Sequence, residues 1–145
     1  MTQTPFRRLA DDFFVAPQLT AADFALARAQ GIRTVINNRP DGEAPDQLSD
    51  AEARALAEGQ GLAYVHVPVV LGSIQPDSIV AFAKAVADSP GPYLAYCRSG
   101  TRSCHLWAFA QAPKRPTGEI LEAAASAGYD LSPALPLLRQ LAAKG

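Results

Sequence analysis

A single α/β domain, with a mostly parallel central sheet and helices on both faces, is predicted by three features of the sequence. Short β-branched or aromatic runs alternate with stretches of helical periodicity, a pattern that builds strand-helix-strand crossovers rather than hairpins. A hydrophobic content of 48% in 145 residues is enough for one buried core and requires no second domain. Finally, the apolar run Tyr93-Leu94-Ala95-Tyr96 passes into a Cys-led loop and then a helix, the kind of turn beyond which parallel sheets bind ligands.

The first pieces, residues 6–9 and 13–16, are apolar or aromatic and flank Asp11-Asp12, which predicts two strands joined by a tight turn at the sheet edge. Thr20 is an N-cap with Asp23 third after it, and Phe24, Leu26, Ala27 and Ala29 give an apolar face that Gly31 closes. Residues 32–36 return as a strand, central because Thr34, Val35 and Ile36 are β-branched and near-continuously apolar. Asn37-Asn38-Arg39-Pro40-Asp41-Gly42-Glu43 reads as a loop. Ser49 and Glu52 form a capping box for an Ala-rich helix ending at Gly59 or Gly61.

A strand over 63–70, containing Tyr64-Val65-His66-Val67, is followed by a loop at 71–73 and an amphipathic helix from about 75 to 88. Pro90-Gly91-Pro92 turns the chain into the 93–96 strand. After Ser103, the residues Cys104, Trp107, Ala108 and Gln111-Ala112 continue at helical spacing until Pro113 stops them. From Thr117 a capped, Ala-rich helix runs to Gly128, and Leu135, Leu137, Leu138 and Leu141 mark a last helix ending at Lys144 and Gly145. The core is therefore placed at about 6–112 with a helical extension at about 117–145, a tail in which no chemistry is read.

The chemistry is concentrated at Cys97-Arg98-Ser99-Gly100-Thr101-Arg102-Ser103. A helix N-terminus leaves unpaired N–H groups and a partial positive charge, and the small Ser99-Gly100-Thr101 lets backbone approach a bound anion. Arg98 and Arg102 flank the cysteine, a setting that favours a thiolate nucleophile. In a parallel sheet the loops at 37–43 and 69–73 approach the same edge, which adds Arg39 and Asp41 as substrate-binding candidates beside Arg98, Ser99, Gly100, Thr101 and Ser103. His66 and His105 read as packing residues before catalysts, and Cys104 as a core thiol before a resolving one.

Thirteen basic and fourteen acidic residues nearly cancel, so no polycationic surface for nucleic acid or acidic membranes is present. Arg7, Arg8, Asp11 and Asp12 interrupt any signal-peptide pattern, and no apolar run reaches the roughly 18 residues of a membrane span. Two cysteines are too few for a disulfide framework, and two histidines without clustered ligands argue against a structural zinc. A cytoplasmic protein with a small-molecule partner and no metal or organic cofactor is expected.

The six-residue loop from Cys97 to Arg102 resembles the rhodanese active-site cradle, whose Cys carries a persulfide sulfur. Cysteine-dependent phosphatases place five residues between Cys and Arg and usually a His before the Cys; here Tyr96 precedes, and Ser103 stands where the phosphatase Arg would fall. With residues 37–43 and Tyr64-Val65-His66-Val67-Pro68-Val69, the chain resembles, over about 6–112, the bacterial beta-lactamase-hydrolase-like family of phosphatase-like or sulfurtransferase domains. That resemblance implies a dual-specificity-phosphatase-like fold, Cys97 as sulfur acceptor, Arg102 as anion anchor, and a persulfide dioxygenase as a partner of some members.

The expected activity is transfer of a sulfane sulfur from thiosulfate or a persulfide, through a Cys97 persulfide, to a thiol such as glutathione. A phosphatase working through a Cys97 phosphoenzyme is the rival. The family pattern puts a general acid in the loop after the 63–70 strand, yet Val69-Val70-Leu71-Gly72-Ser73 contains none, a deficit of roughly 10²–10⁴-fold for a poor leaving group. A non-catalytic oxyanion or persulfide sensor is the third reading.

Overall fold

Val35 and Ile36 are adjacent in sequence and point to opposite faces of one sheet, so each enters a different apolar cluster, as do Leu94 and Ala95. This is the arrangement of strands covered on both sides. The structure, a computed structural model, describes residues 5–70 and 72–144. Leu71 of the expected 71–73 loop and Gly145 at the expected end of the last helix lie outside the described residues.

The strands are β1 (Arg7–Ala10), β2 (Phe13–Ala16), β3 (Thr34–Asn37), β4 (Ala63–His66) and β5 (Tyr93–Tyr96), in the spatial order β1-β2-β5-β3-β4. Only β1 and β2 pair antiparallel, and the other three pairings are parallel. The expectation that 13–16 lies at the edge fails for β2, which pairs in parallel register with β5, Phe13 opposite Tyr93, leaving β1 as the edge. β4 stops at His66 rather than Val70. Beyond it the chain stays tied to the neighbouring loop, with the Val67 and Val69 N–H groups donating to the Asn37 and Asn38 carbonyls on either side of Pro68, which has no N–H.

Six helices, α1 (Ala21–Ala29), α2 (Asp50–Gly59), α3 (Pro76–Asp88), α4 (Thr101–Gln111), α5 (Thr117–Ser126) and α6 (Leu135–Lys144), surround the sheet. The capping boxes of Thr20 with Asp23 and Ser49 with Glu52 are both formed, and Gly31 and Gly61 turn the chain at positive φ after α1 and α2. The predicted side-chain cap at Thr117 is absent: Pro116 precedes the helix, and Thr117 is its first residue. Phe24, Ala27, Ala53 and Ala57 put α1 and α2 on one face. Phe82, Leu106, Trp107, Ile120 and Leu138 put α3 to α6 on the other, so the tail shares the main core rather than standing apart from it.

Parallel pairing brings the carboxyl ends of β3, β4 and β5 to one edge of the sheet. The segments 38–49, 67–75 and 97–100 leave from there.

Candidate active site

Cys97 follows the last residue of β5 and is fully buried at the floor of the loop. α4 begins at Thr101, earlier than its apolar spacing suggests, so Arg102 and Ser103 lie in its first turn, with Gly100 as N-cap. Gly100 has φ +90°, a conformation costly for any residue with a Cβ, and its N–H donates to the Cys97 sulfur at 3.1 Å. A Cβ at Gly100 would stand 2.1 Å from the Tyr129 hydroxyl oxygen, so this glycine is required by space as well as by backbone. On the outer side of the loop, Ser99 donates its hydroxyl proton to Thr101 Oγ1 at 2.9 Å.

Arg102 is 4% exposed, and its fork is directed by Glu43. Nη1 donates to Glu43 Oε2 at 2.7 Å and Nη2 to Oε1 at 2.9 Å, while Nη1 also donates to the Val69 carbonyl at 2.9 Å. Arg39, equally buried, donates through Nε to the same carboxylate at 2.9 Å and through Nη1 to Gln18 Oε1 at 2.9 Å. The Arg102 hydrogen bonds, with Arg39 assisting, overcome desolvation and hold Glu43 at about 2, well below the usual carboxylate range; the same contact pushes Arg102 further up. Glu43 is thus a fixed anion that orients two guanidiniums and holds no proton to give at neutral pH.

The remaining predicted residues divide. Arg39 reaches the site through Glu43. Asp41 does not: it is exposed, and its Oδ1 accepts the Asp50 N–H at 2.7 Å at the start of α2. Arg98 projects into solvent and contributes its backbone carbonyl, which accepts the Gln18 N–H at 3.3 Å. The buried Ser103 donates its hydroxyl proton to Asn38 Oδ1 at 2.8 Å, tying α4 to the loop after β3 in place of the substrate-binding role expected of it. His66 Nε2 lies 3.0 Å from the Arg39 carbonyl, bracing that loop from β4. His105 is half-buried with Nδ1 2.8 Å from the Thr101 carbonyl. Burial pushes the Cys104 thiol up to about 12, so it remains protonated in the core.

Two recesses flank the Cys loop. One, of about 350 Å³, is mostly apolar and is bordered by Ile74, Arg102, His105, Phe109 and Leu137. The other, of about 520 Å³, includes Gln18, Arg39, Gln47 and Arg98. A hollow of about 420 Å³ beside Arg33 and Pro90 lies at the opposite edge, at the amino ends of β3 and β5, away from Cys97. Among the described residues no group of three or more His, Cys, Asp or Glu side chains could hold a metal, and no helix is long and apolar enough to cross a membrane.

The sequence reading left Glu43 and Tyr129 out of the site. Glu43 stands inside the 37–43 motif, but its partner Arg102 is 59 residues away, and only an unpaired buried arginine in a model sheet could have asked for it. Tyr129 comes from the tail after α5, and its hydroxyl donates to the Ser99 carbonyl at 3.1 Å. Its only sequence signal is a tyrosine placed directly after a helix-ending glycine.

Residues 5–114 match the family model described as the phosphatase-like domain of beta-lactamase hydrolase-like protein. A beta-lactamase hydrolase-like protein of Xylella fastidiosa is 37% identical over 130 residues, covering 88% of this chain and 30% of its own length, so the chain spans about a third of such relatives. A crystallised candidate phosphatase of Neisseria meningitidis is 33% identical with a TM-score of 0.85, the match covering 96% of this chain and 99% of that one. Tk-PTP, at 12% identity and TM-score 0.76 over 99% of this chain and 100% of its own, shares the fold alone. The fold is that of the dual-specificity and tyrosine phosphatases, as expected, whereas the rhodanese-type assignment has no counterpart among these relatives.

Proposed function

Because the chain belongs to the phosphatase-like domain family of beta-lactamase hydrolase-like proteins, we propose that it is a cysteine-dependent phosphatase acting through a Cys97 phosphoenzyme. The observation that carries this reading is the convergence of a donor-lined nucleophile and a pre-oriented guanidinium. Gly100 N–H meets the Cys97 sulfur at 3.1 Å, while Glu43 fixes the fork of Arg102 from behind. In the first step the Cys97 thiolate attacks phosphorus, an S–P bond forms and the ester P–O bond breaks, with the electron pair leaving on the alcohol oxygen. In the second, water attacks phosphorus, the S–P bond breaks, and inorganic phosphate leaves with regeneration of the Cys97 thiolate.

The leaving oxygen must take its proton from solvent, since residues 69–73 carry no acid, Asp41 is spent on α2 and Glu43 is fixed as an anion. Esters of acidic phenols are therefore the favoured substrates and alkyl esters the poor ones, separated by the roughly 10²–10⁴-fold worth of a general acid. The test compares p-nitrophenyl phosphate with an alkyl phosphate on wild type and Cys97→Ser. Cys97-dependent release from the aryl ester, with a phosphoenzyme trapped on rapid acid quench, supports the reading.

A second reading is favoured by one feature, the four residues between Cys97 and Arg102. The shorter loop suits a smaller cradle, and sulfite leaving from thiosulfate needs no proton donor. In that case thiosulfate or a persulfide would charge Cys97 with sulfur and a thiol such as glutathione would collect it, with a persulfide dioxygenase downstream. Thiosulfate-dependent persulfide formation on the same preparation, without phosphate release, would reverse the order of the two readings.

A further inference from the structure

We infer that Tyr129 is a positioning residue of the Cys loop, holding the Ser99 carbonyl from outside so that the Gly100 N–H is aimed at the Cys97 sulfur inside. Ser99 C=O and Gly100 N–H belong to one planar trans peptide, and in such a unit the two bonds point in opposite directions. The structure shows both ends engaged: the Tyr129 hydroxyl donates to Ser99 O at 3.1 Å, and Gly100 N donates to Cys97 Sγ at 3.1 Å. Turning this peptide over would point a carbonyl oxygen at the sulfur, opposing a thiolate and any anion bound above it. Glycine at position 100 leaves the turn conformationally permissive, so an external hold on the peptide has something to restrain.

The clasp is itself braced. Tyr129 is 8% exposed, and its oxygen occupies the space where a Cβ at Gly100 would be. The Arg7 guanidinium lies 5.5 Å from the centre of the Tyr129 ring and donates to the Ala127 carbonyl at 2.9 Å, fixing the tail to β1. The Tyr129 N–H donates to the Ala124 carbonyl at 2.9 Å, anchoring the residue to the end of α5. Burial pushes the phenol up, which keeps the proton that the hydrogen bond needs. Tyr129 lies beyond residues 5–114, so a segment outside the matched family region completes the geometry of the nucleophile loop.

Tyr129→Phe removes the hydroxyl and keeps the ring, its packing and the Arg7 contact. The experiment follows thiolate ultraviolet absorbance against pH, with Cys97→Ser as the blank, and titrates inorganic phosphate by calorimetry, both below the unfolding onset of the less stable protein. The expected result is that the variant needs a higher pH to reach the same Cys97 thiolate signal and binds phosphate about fivefold more weakly, the worth of one hydrogen bond. A Tyr129→Phe protein with unchanged thiolate profile and unchanged phosphate affinity overturns the inference, as does a loss that tracks only the unfolded fraction in a parallel melt. Both readouts report on the loop whichever group Cys97 transfers, so failure of the phosphatase reading would leave this outcome distinguishable.

Discussion

Cys97 and Cys104 are both free, both fully buried, and separated by less than two turns of chain, yet their surroundings differ in kind. Cys104 lies among apolar side chains of the main core, where burial favours the neutral thiol. Cys97 lies at a helix N-terminus with a backbone N–H on its sulfur. Burial alone therefore says nothing about reactivity in this chain; what decides it is whether the buried atom faces polar donors or carbon. The flanking arginines make the same point, since Arg98 is solvated while Arg102 is clamped and directed inward by Glu43.

The strongest test of this contrast is Cys97→Ser, which should abolish phosphate-ester hydrolysis, by at least about 10³-fold, while leaving the melting profile intact. Hydrolysis above a trace level in that variant would place the nucleophile elsewhere. Arg102→Lys keeps the charge but not the fork that Glu43 holds, and a fall in kcat/KM on the order of 10²-fold is expected from steady-state kinetics. Activity equal to wild type would make Arg102 a structural residue only.

Glu43→Gln leaves two buried guanidiniums without their shared carboxylate. Because the Glu43 side chain keeps 23% exposure, the expected loss is about 1–3 kcal/mol by urea unfolding, below that of a fully buried pair. The sign with pH is specific: Glu43 in the folded chain is held at about 2 against an ordinary 4.5, so its contribution is complete above 4.5 and lost as pH falls toward 2. The variant should lack that part of the acid limb, and superimposable acid limbs for the two proteins would remove the clamp from the account. The smallest effect belongs to Cys104→Ala, about 1 kcal/mol of stability from a small cavity with kcat/KM within roughly twofold of wild type. A large kinetic loss there would mean that the two thiols act together.

Local chemistry was legible from the residues. The capping boxes at Thr20 and Ser49, the glycine turns after α1 and α2, and the strand leading into Cys97 follow from propensities that act within a few residues. The strand order was not: nothing in 13–16 says that it will lie between β1 and β5, because register is settled by pairing with chain some 80 residues away. The start of α4 was read late for a related reason. Thr101, Arg102 and Ser103 are polar and carry no apolar spacing, yet they are helical because the loop and the Asn38 contact hold them there.

By itself, then, the sequence determined an alternating α/β chain with its nucleophile at a strand-to-helix turn, since backbone preference and hydrophobic period are short-range properties. The tertiary structure alone decided which polar residues serve that turn. It sent Asp41 to cap α2, Ser103 to Asn38, Glu43 to Arg102 and Tyr129 to Ser99. Each of these pairings is between side chain or backbone atoms at hydrogen-bond distance, and such distances are set by how the sheet twists and the helices pack around it. Residue type can state what a group is able to bond, but only the packed core brings one partner within reach and leaves the others out.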